Sequence, residues 1–184
     1  MQPCAKRLLT SPRRERPARR LARPSTVPAV SRRDQIRMTD AELAAFLDEQ
    51  RTLILATVGR DGWPHLMPLW FTVRDGQPWA WTYARSQKVR NLERDPRATW
   101  QVEAGESYEQ LRGVMVKARV ELHRDLSTVS AFGEELFRRY TGLDPLPDAV
   151  LAMIATQAPK RVALRLAAAE PPVTWDHAKL GGTY

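Results

Sequence analysis

Residues 52–83 constrain the fold more than any other part of the chain. They hold three strand-like runs: TLILATV (52–58), WPHLMPLWFTV (63–73) and QPWAWTY (77–83). Only GRDG (59–62) and a turn at Asp75-Gly76 separate them. Links this short join antiparallel neighbours, because a parallel crossover needs about a dozen residues or more. Pro64 and Pro68 interrupt the second run. Proline offers no ladder donor, so this strand should have an edge or a bulge near Pro68. Trp79 and Trp81, two apart, share one face of the third run.

The rest of the chain extends that pattern. Thr39 and Glu42 form a capping box ahead of a short amphipathic helix over 41–47. SQKVRNLERD is a second helix, with Ser86 as its N-cap and Pro96 just past its end. Strands follow at ATWQVE (98–103) and GVMVKARVELH (113–123). Helices over about 125–140 and 148–157 precede a last strand, RVALRLAA (161–168). Hairpins dominate and helices are few, so the expected class is mainly β: an antiparallel sheet or barrel with peripheral helices. A βαβ glycine fingerprint and a GxxxxGK[ST] phosphate loop are both missing.

The net charge of +8 suggests nucleic acid until it is located. Eleven of the 29 basic residues but only two of the 21 acidic ones lie in residues 1–37, so the tail carries the whole excess. A basic pI therefore says little about the folded part, and nucleic acid is not an expected partner. The tail holds five prolines and no sustained apolar period, so residues 1–37 should be disordered. It is rich in Arg as transit peptides are, lacks the apolar stretch of a secretory signal, and is followed by a second possible start at Met38. The expected division is a tail (1–37), a folded domain (38–170) and a C-terminal extension (171–184). The chain has one cysteine, Cys4, which excludes an internal disulfide framework and zinc sites built on several cysteines. That usage fits a reducing, cytoplasmic setting, and no apolar run is long enough to be a membrane helix.

YARSQKVRNLERDPR (83–97) carries the chemical signal. A helix start offers free backbone N–H groups and the positive end of the helix dipole. Arg85, Ser86 and Lys88 gather there, as a cradle for phosphate or carboxylate would require. The same spacing also fits an ordinary solvated basic turn in which Asn91 bonds locally.

The stretch from TLILATVGRDGWPHLMPLWF through WAWTYARSQKVRNLERDPRATWQVEAG resembles the pyridoxamine 5′-phosphate oxidase-like, flavin-binding split β-barrel superfamily. The likeness rests on Pro68-Leu69-Trp70-Phe71 in the second strand, on RSxKxRNLxxDPR at 85–97, and on the later strand VMVKARVEL. It covers about residues 40–168. It implies a six-stranded split barrel that forms a homodimer, with a flavin or deazaflavin in a groove at the dimer interface. Lys88, with Ser86 and Arg85, would hold the cofactor phosphate, and Thr82 would contact the phosphate or the ribityl chain. The strand from His65 through Met67, Pro68 and Leu69 to Trp70 would lie along the ring, chiefly through its backbone. Gln87 stands where many of the oxidases have a second basic residue. The chain ends PPVTWDHAKLGGTY rather than in their Arg-containing substrate motif, which argues against pyridoxamine phosphate as substrate.

Within the superfamily the chain looks most like the actinobacterial deazaflavin-dependent oxidoreductases, which use coenzyme F420. The resemblance thus implies hydride transfer to a conjugated small molecule, with Arg85, Lys88, Arg90 and Arg94 offering a basic groove for the cofactor's oligoglutamate tail, although Arg90 and Arg94 also fit a solvated helix face. The alternatives are an FMN-dependent enzyme of the same fold, and a non-catalytic protein that stores or senses a flavin or deazaflavin or binds haem. His65, beside the expected ring, is a weak candidate proton donor, since a histidine so placed is more often a cross-strand packing residue. In the extension, Trp175 and His177 are candidates for the substrate side, covering the partner's groove, or for dimer packing. His177 is also the second weak catalytic candidate.

Overall fold

The computed structural model describes residues 31–181. In chain order the elements are α1 (Arg32–Gln35), α2 (Asp40–Glu49), β1 (Thr52–Val58), β2 (Pro64–Arg74), β3 (Gln77–Tyr83), α3 (Gln87–Arg94), β4 (Arg97–Ala104), β5 (Arg112–His123), α4 (Leu126–Thr141), α5 (Asp148–Gln157), β6 (Arg161–Ala168) and β7 (Val173–Asp176). Short 3-10 turns follow β4, α5 and β7. No helix among the described residues is long and apolar enough to cross a membrane.

Six strands close an antiparallel barrel. The order β4-β1-β2-β3-β6-β5 is sealed by a ladder between β4 and β5, and β7 adds outside it to the first half of β5. The β1–β2 and β2–β3 hairpins stand where the two turns put them, with Asp75 at φ 50° and Gly76 at φ 70°. Closure comes from pairings remote in sequence: β3 with β6, β5 with β6, and β1 with β4.

Alternation along each strand divides the apolar residues between two cores. Leu53 and Leu55 of β1, Trp100 and Val102 of β4, Val114 and Val116 of β5, and Leu164 and Leu166 of β6 fill the barrel, and Phe46 and Leu47 of α2 pack with them. Trp81 and Ala163 point outward and meet Val129, Phe132 and Leu136 of α4 and Ile154 of α5. Gly133 lets α4 lie close, since a Cβ there would stand 3.1 Å from Ile154 and 3.2 Å from the Trp81 ring. Asp125 caps α4 by accepting from the Thr128 N–H at 2.8 Å, and Gly142, at φ 70°, ends it.

The expected edge on the second strand is present. β2 pairs with β1 over Pro64–Trp70 but with β3 only over Phe71–Arg74. Among the described residues one side of 64–70 is therefore free of ladder partners, and this opening splits the barrel.

The capping box at Thr39 and Glu42 forms as expected. Immediately before it, residues 31–37, expected within the disordered tail, include the helical turn α1. The Ile36 carbonyl accepts from Asp176 N–H at 2.7 Å. Residues 1–30 of the expected tail lie outside the described residues.

Candidate functional site

The split is lined by groups that lack partners. Helix α3 begins at Ser86, which has the extended backbone of an N-cap (φ −69°, ψ 155°) but makes no side-chain capping bond. Its Oγ is buried and has no hydrogen-bond partner among the described residues. Two residues on, Lys88 is 7% exposed, and its Nζ donates to Thr82 Oγ1 at 3.2 Å. Among the described residues no carboxylate pairs with it. Burial, and then the charge of Arg161, lower its pKa below the usual 10.5.

Arg161 is the second cation of the site. It opens β6 and pairs with Tyr83 at the end of β3. Its guanidinium lies 3.8 Å from the centre of the Tyr83 ring and 4.7 Å from that of Trp81. Among the described residues its buried Nε has no hydrogen-bond partner, and no carboxylate pairs with it either. Two positive groups are thus held near each other without a counterion among the described residues. An unpaired buried charge is costly, so the arrangement would favour an anion at this place.

A chain of hydrogen bonds fixes the helix beneath this cradle. Gln87 Nε2 donates to Asn91 Oδ1 at 2.9 Å, Asn91 Nδ2 to Thr57 Oγ1 at 3.0 Å, and Thr57 Oγ1 to the His65 carbonyl at 3.4 Å. Asn91 is fully buried, so besides its local bond with Gln87 it ties α3 to β1 and, through Thr57, to β2. Gln87, the departure from the oxidases, spends its amide on that anchor.

The open edge of β2 forms the other wall. His65, Met67 and Leu69 stand opposite Thr57, Leu55 and Leu53 on the inward face. Leu69 is buried, whereas Met67 is 39% exposed because no strand covers that part of the edge. His65 is half-buried, and its buried Nδ1 has no partner among the described residues. It borders a cavity of about 430 Å³ with Arg60, Trp63, Gln87 and Asn91. Arg60, Arg90 and Arg94 surround an adjoining hollow of about 530 Å³. Its one acid, Glu93, is engaged by Arg124.

Chain and fold place the protein in a known family. A family model described as pyridoxamine 5′-phosphate oxidase matches residues 39–171, and the chain belongs to that family. It is similar to the crystal structure of a conserved hypothetical protein from Mycobacterium tuberculosis, with 40% identity and a TM-score of 0.76, over 84% of this chain and 94% of that one. An F420 reductase shares 24% identity with a TM-score of 0.54, over 70% and 93% of the two chains. A FAD-binding protein from Mesorhizobium loti shares 20% identity with a TM-score of 0.55, over 74% and 94%. No curated protein matches the sequence.

The expected site residues fall into three places. Thr82, Ser86 and Lys88 come together at the start of α3, and His65, Met67, Pro68 and Leu69 line the open edge beside it. Arg85 is exposed and borders a separate depression with Tyr83 and Lys160. Trp175 and His177 lie at the other end of the barrel within one chain. β7 pairs with Arg112–Met115 of β5, beyond the point where Ala118 meets the last residue of β6, whereas Arg161 begins β6. There Trp175 packs on Gly113, and His177 Nδ1 lies 3.1 Å from the Tyr108 carbonyl. Arg161 was not expected. Its only sequence signal is a cation at the head of an apolar strand, 73 residues from Lys88, and only the β3–β6 ladder brings the two together.

Proposed function

We propose that the protein is an oxidoreductase that holds the deazaflavin coenzyme F420 in the split of the barrel and reduces a conjugated small molecule. The observation that carries this reading is the pair Lys88 and Arg161, two neighbouring cations without a carboxylate partner among the described residues. A phosphate there would give Lys88 a charge-assisted bond, worth about 1.5–3 kcal/mol. Ser86 Oγ and the first N–H groups of α3 would complete its coordination. Thr82, which already accepts from Lys88, would hold the ammonium in place. The free backbone of β2 would orient the ring, and His65 Nδ1 would hold a proton or a polar ring atom. Bound cofactor would supply the hydride chemistry, which explains why no acid–base pair stands out in the sequence.

Membership of the family and the likeness to the F420 reductase support a flavin-type cofactor. Two features of this chain favour the deazaflavin over FMN. Gln87 provides no charge for a phosphomonoester. Arg60, Arg90 and Arg94 line the hollow that adjoins the His65 cavity, as a polyanionic tail would require. The same reading makes the protein a homodimer. Ile54, Val58 and Leu66, on the outer face of β1 and β2, are 37%, 39% and 55% exposed, an apolar surface that a second copy would cover. In that dimer Trp175 and His177 would reach the partner's groove.

Fluorescence titration of the purified protein with F420 and with FMN tests the cofactor. F420 should bind more tightly, with an affinity that falls as salt rises. Submicromolar FMN binding with no measurable F420 binding would reverse the choice. Sizing chromatography tests the dimer. Turnover by a chain shortened to end at Pro172 tests Trp175 and His177: full activity would reduce them to packing residues.

A further inference from the structure

We propose that the cleft between the open edge of β2 and helix α4 is the acceptor subsite, and that it takes a flat conjugated molecule bearing an acidic substituent. The inference rests on the deazaflavin reading above and adds to it the acceptor's place and chemical class.

The cleft has a volume of about 240 Å³ and is bordered by Leu69, Trp70, Trp81, Leu136, Phe137 and Arg161. Its walls are aromatic and held in place. Trp70 stacks on Tyr140 of α4, with ring centres 4.2 Å apart and planes at 17°. The Tyr140 hydroxyl in turn accepts from Phe71 N–H at 3.0 Å, which pins α4 to the end of the open edge. Phe137 meets Trp81 edge to face, at 6.3 Å and 88°. Rigid aromatic walls select a flat ring over a flexible chain, because ring faces and edges reward fixed geometry. Trp70 remains 52% exposed despite its stack, so the ring is accessible at the mouth of the cleft.

Arg161 joins the cleft to the cradle. Thr82 and its partner Val162 face the barrel interior with Lys88, whereas Tyr83 and its partner Arg161 share the Trp81 face of the sheet. The guanidinium therefore lies at the boundary between cofactor phosphate and acceptor ring. Charge balance then fixes the acceptor's class. A phosphodiester brings one negative charge to a cradle with two cations, so one cation remains uncompensated. An acidic group on the acceptor would neutralise it, and the planar fork of Arg161 suits a carboxylate. A phosphomonoester would leave no such excess, so the acidic acceptor follows from the deazaflavin in particular.

Calorimetric titration tests this with 2-naphthoate and its uncharged analogue 2-naphthamide, on protein with and without F420 bound. Naphthoate should bind at least tenfold more tightly than the amide, and should still bind when F420 is present. Phe137→Trp, which narrows the cleft, should weaken naphthoate at least tenfold and leave F420 affinity within twofold. Phe137→Leu, of similar polarity but smaller, should keep naphthoate affinity within threefold, which separates a filled cleft from a damaged fold. Equal affinity for acid and amide, displacement of naphthoate by F420, or indifference to Phe137→Trp would each overturn the proposal. Naphthoate binding that depends on Phe137 in a protein that binds no F420 would overturn the cofactor reading while supporting the cleft as an acid-recognising ring site.

Discussion

Lys88 and Lys179 lie at opposite ends of the barrel, and their surroundings could hardly differ more. Lys179 donates to Glu42 at 2.6 Å and to the Arg37 carbonyl at 2.8 Å. Around it Met38 N–H donates to Thr174 Oγ1 at 2.9 Å and Asp176 N–H to the Ile36 carbonyl, so that end is a clasp between the start and the finish of the folded body. Lys88 has one neutral hydroxyl, a cation for a neighbour and an uncapped helix start. Folding alone accounts for the satisfied end. The unsatisfied end costs stability in the free protein, and a bound anion would recover that cost.

The sharpest way to break the comparison is to remove each charge in turn. Lys88→Met should lose at least tenfold in F420 affinity while keeping or raising Tm, because it deletes a desolvated, unpaired charge. Lys179→Met should lower Tm and leave the affinity unchanged. Equal effects of the two on binding would end the distinction.

The pH dependence of binding should follow Lys88. Its folded pKa lies below 10.5, so F420 affinity should fall as pH rises through that lowered value. In that window binding should take up a proton, measurable as a dependence of the calorimetric heat on buffer. The free protein shows the converse. Its unfolded chain keeps the proton to higher pH, so stability gains from this group as pH rises across the same window.

At the clasp, Gly113→Ala should cost about 1–3 kcal/mol by overpacking. The new Cβ would stand 2.3 Å from Trp175 Cζ2 and 2.7 Å from the Val102 carbonyl oxygen, a backbone atom. Denaturant unfolding measures this, and cofactor affinity should not follow it.

The smallest expected effect belongs to Glu42. Its bond from Lys179, then those from Thr39, lower its pKa to about 2 from the usual 4.5. A carboxylate depressed in this way adds stability above 4.5 and loses it as pH falls towards 2. Glu42→Gln should flatten the acid limb of a Tm–pH profile over that range, slightly because the pair is exposed.

Much of the fold could be read from local chemistry. The turns at 59–62 and 75–76, the capping box at Thr39 and the proline-marked edge of β2 are each set by residues within a few positions of one another. Strand limits follow from alternation for the same reason. Most of the candidate cradle was legible too, because Ser86 and Lys88 belong to one helix start and Thr82 lies near the end of the strand before it. Arg85 shares that start but is exposed, since on an irregular turn spacing does not decide direction.

By itself, then, the sequence determined the strands, the hairpins, the site of the edge and the helix that carries Lys88. These depend on backbone preferences and on periodicity, which act over short range. Tertiary structure alone decided which tryptophan faces which core, that β7 would clasp Met38, and that Arg161 would stand beside Lys88. Those outcomes depend on ladders between strands distant in the chain, and register there is set by how whole faces pack. The charge that most strongly marks the site is therefore the one that local spacing could not reveal.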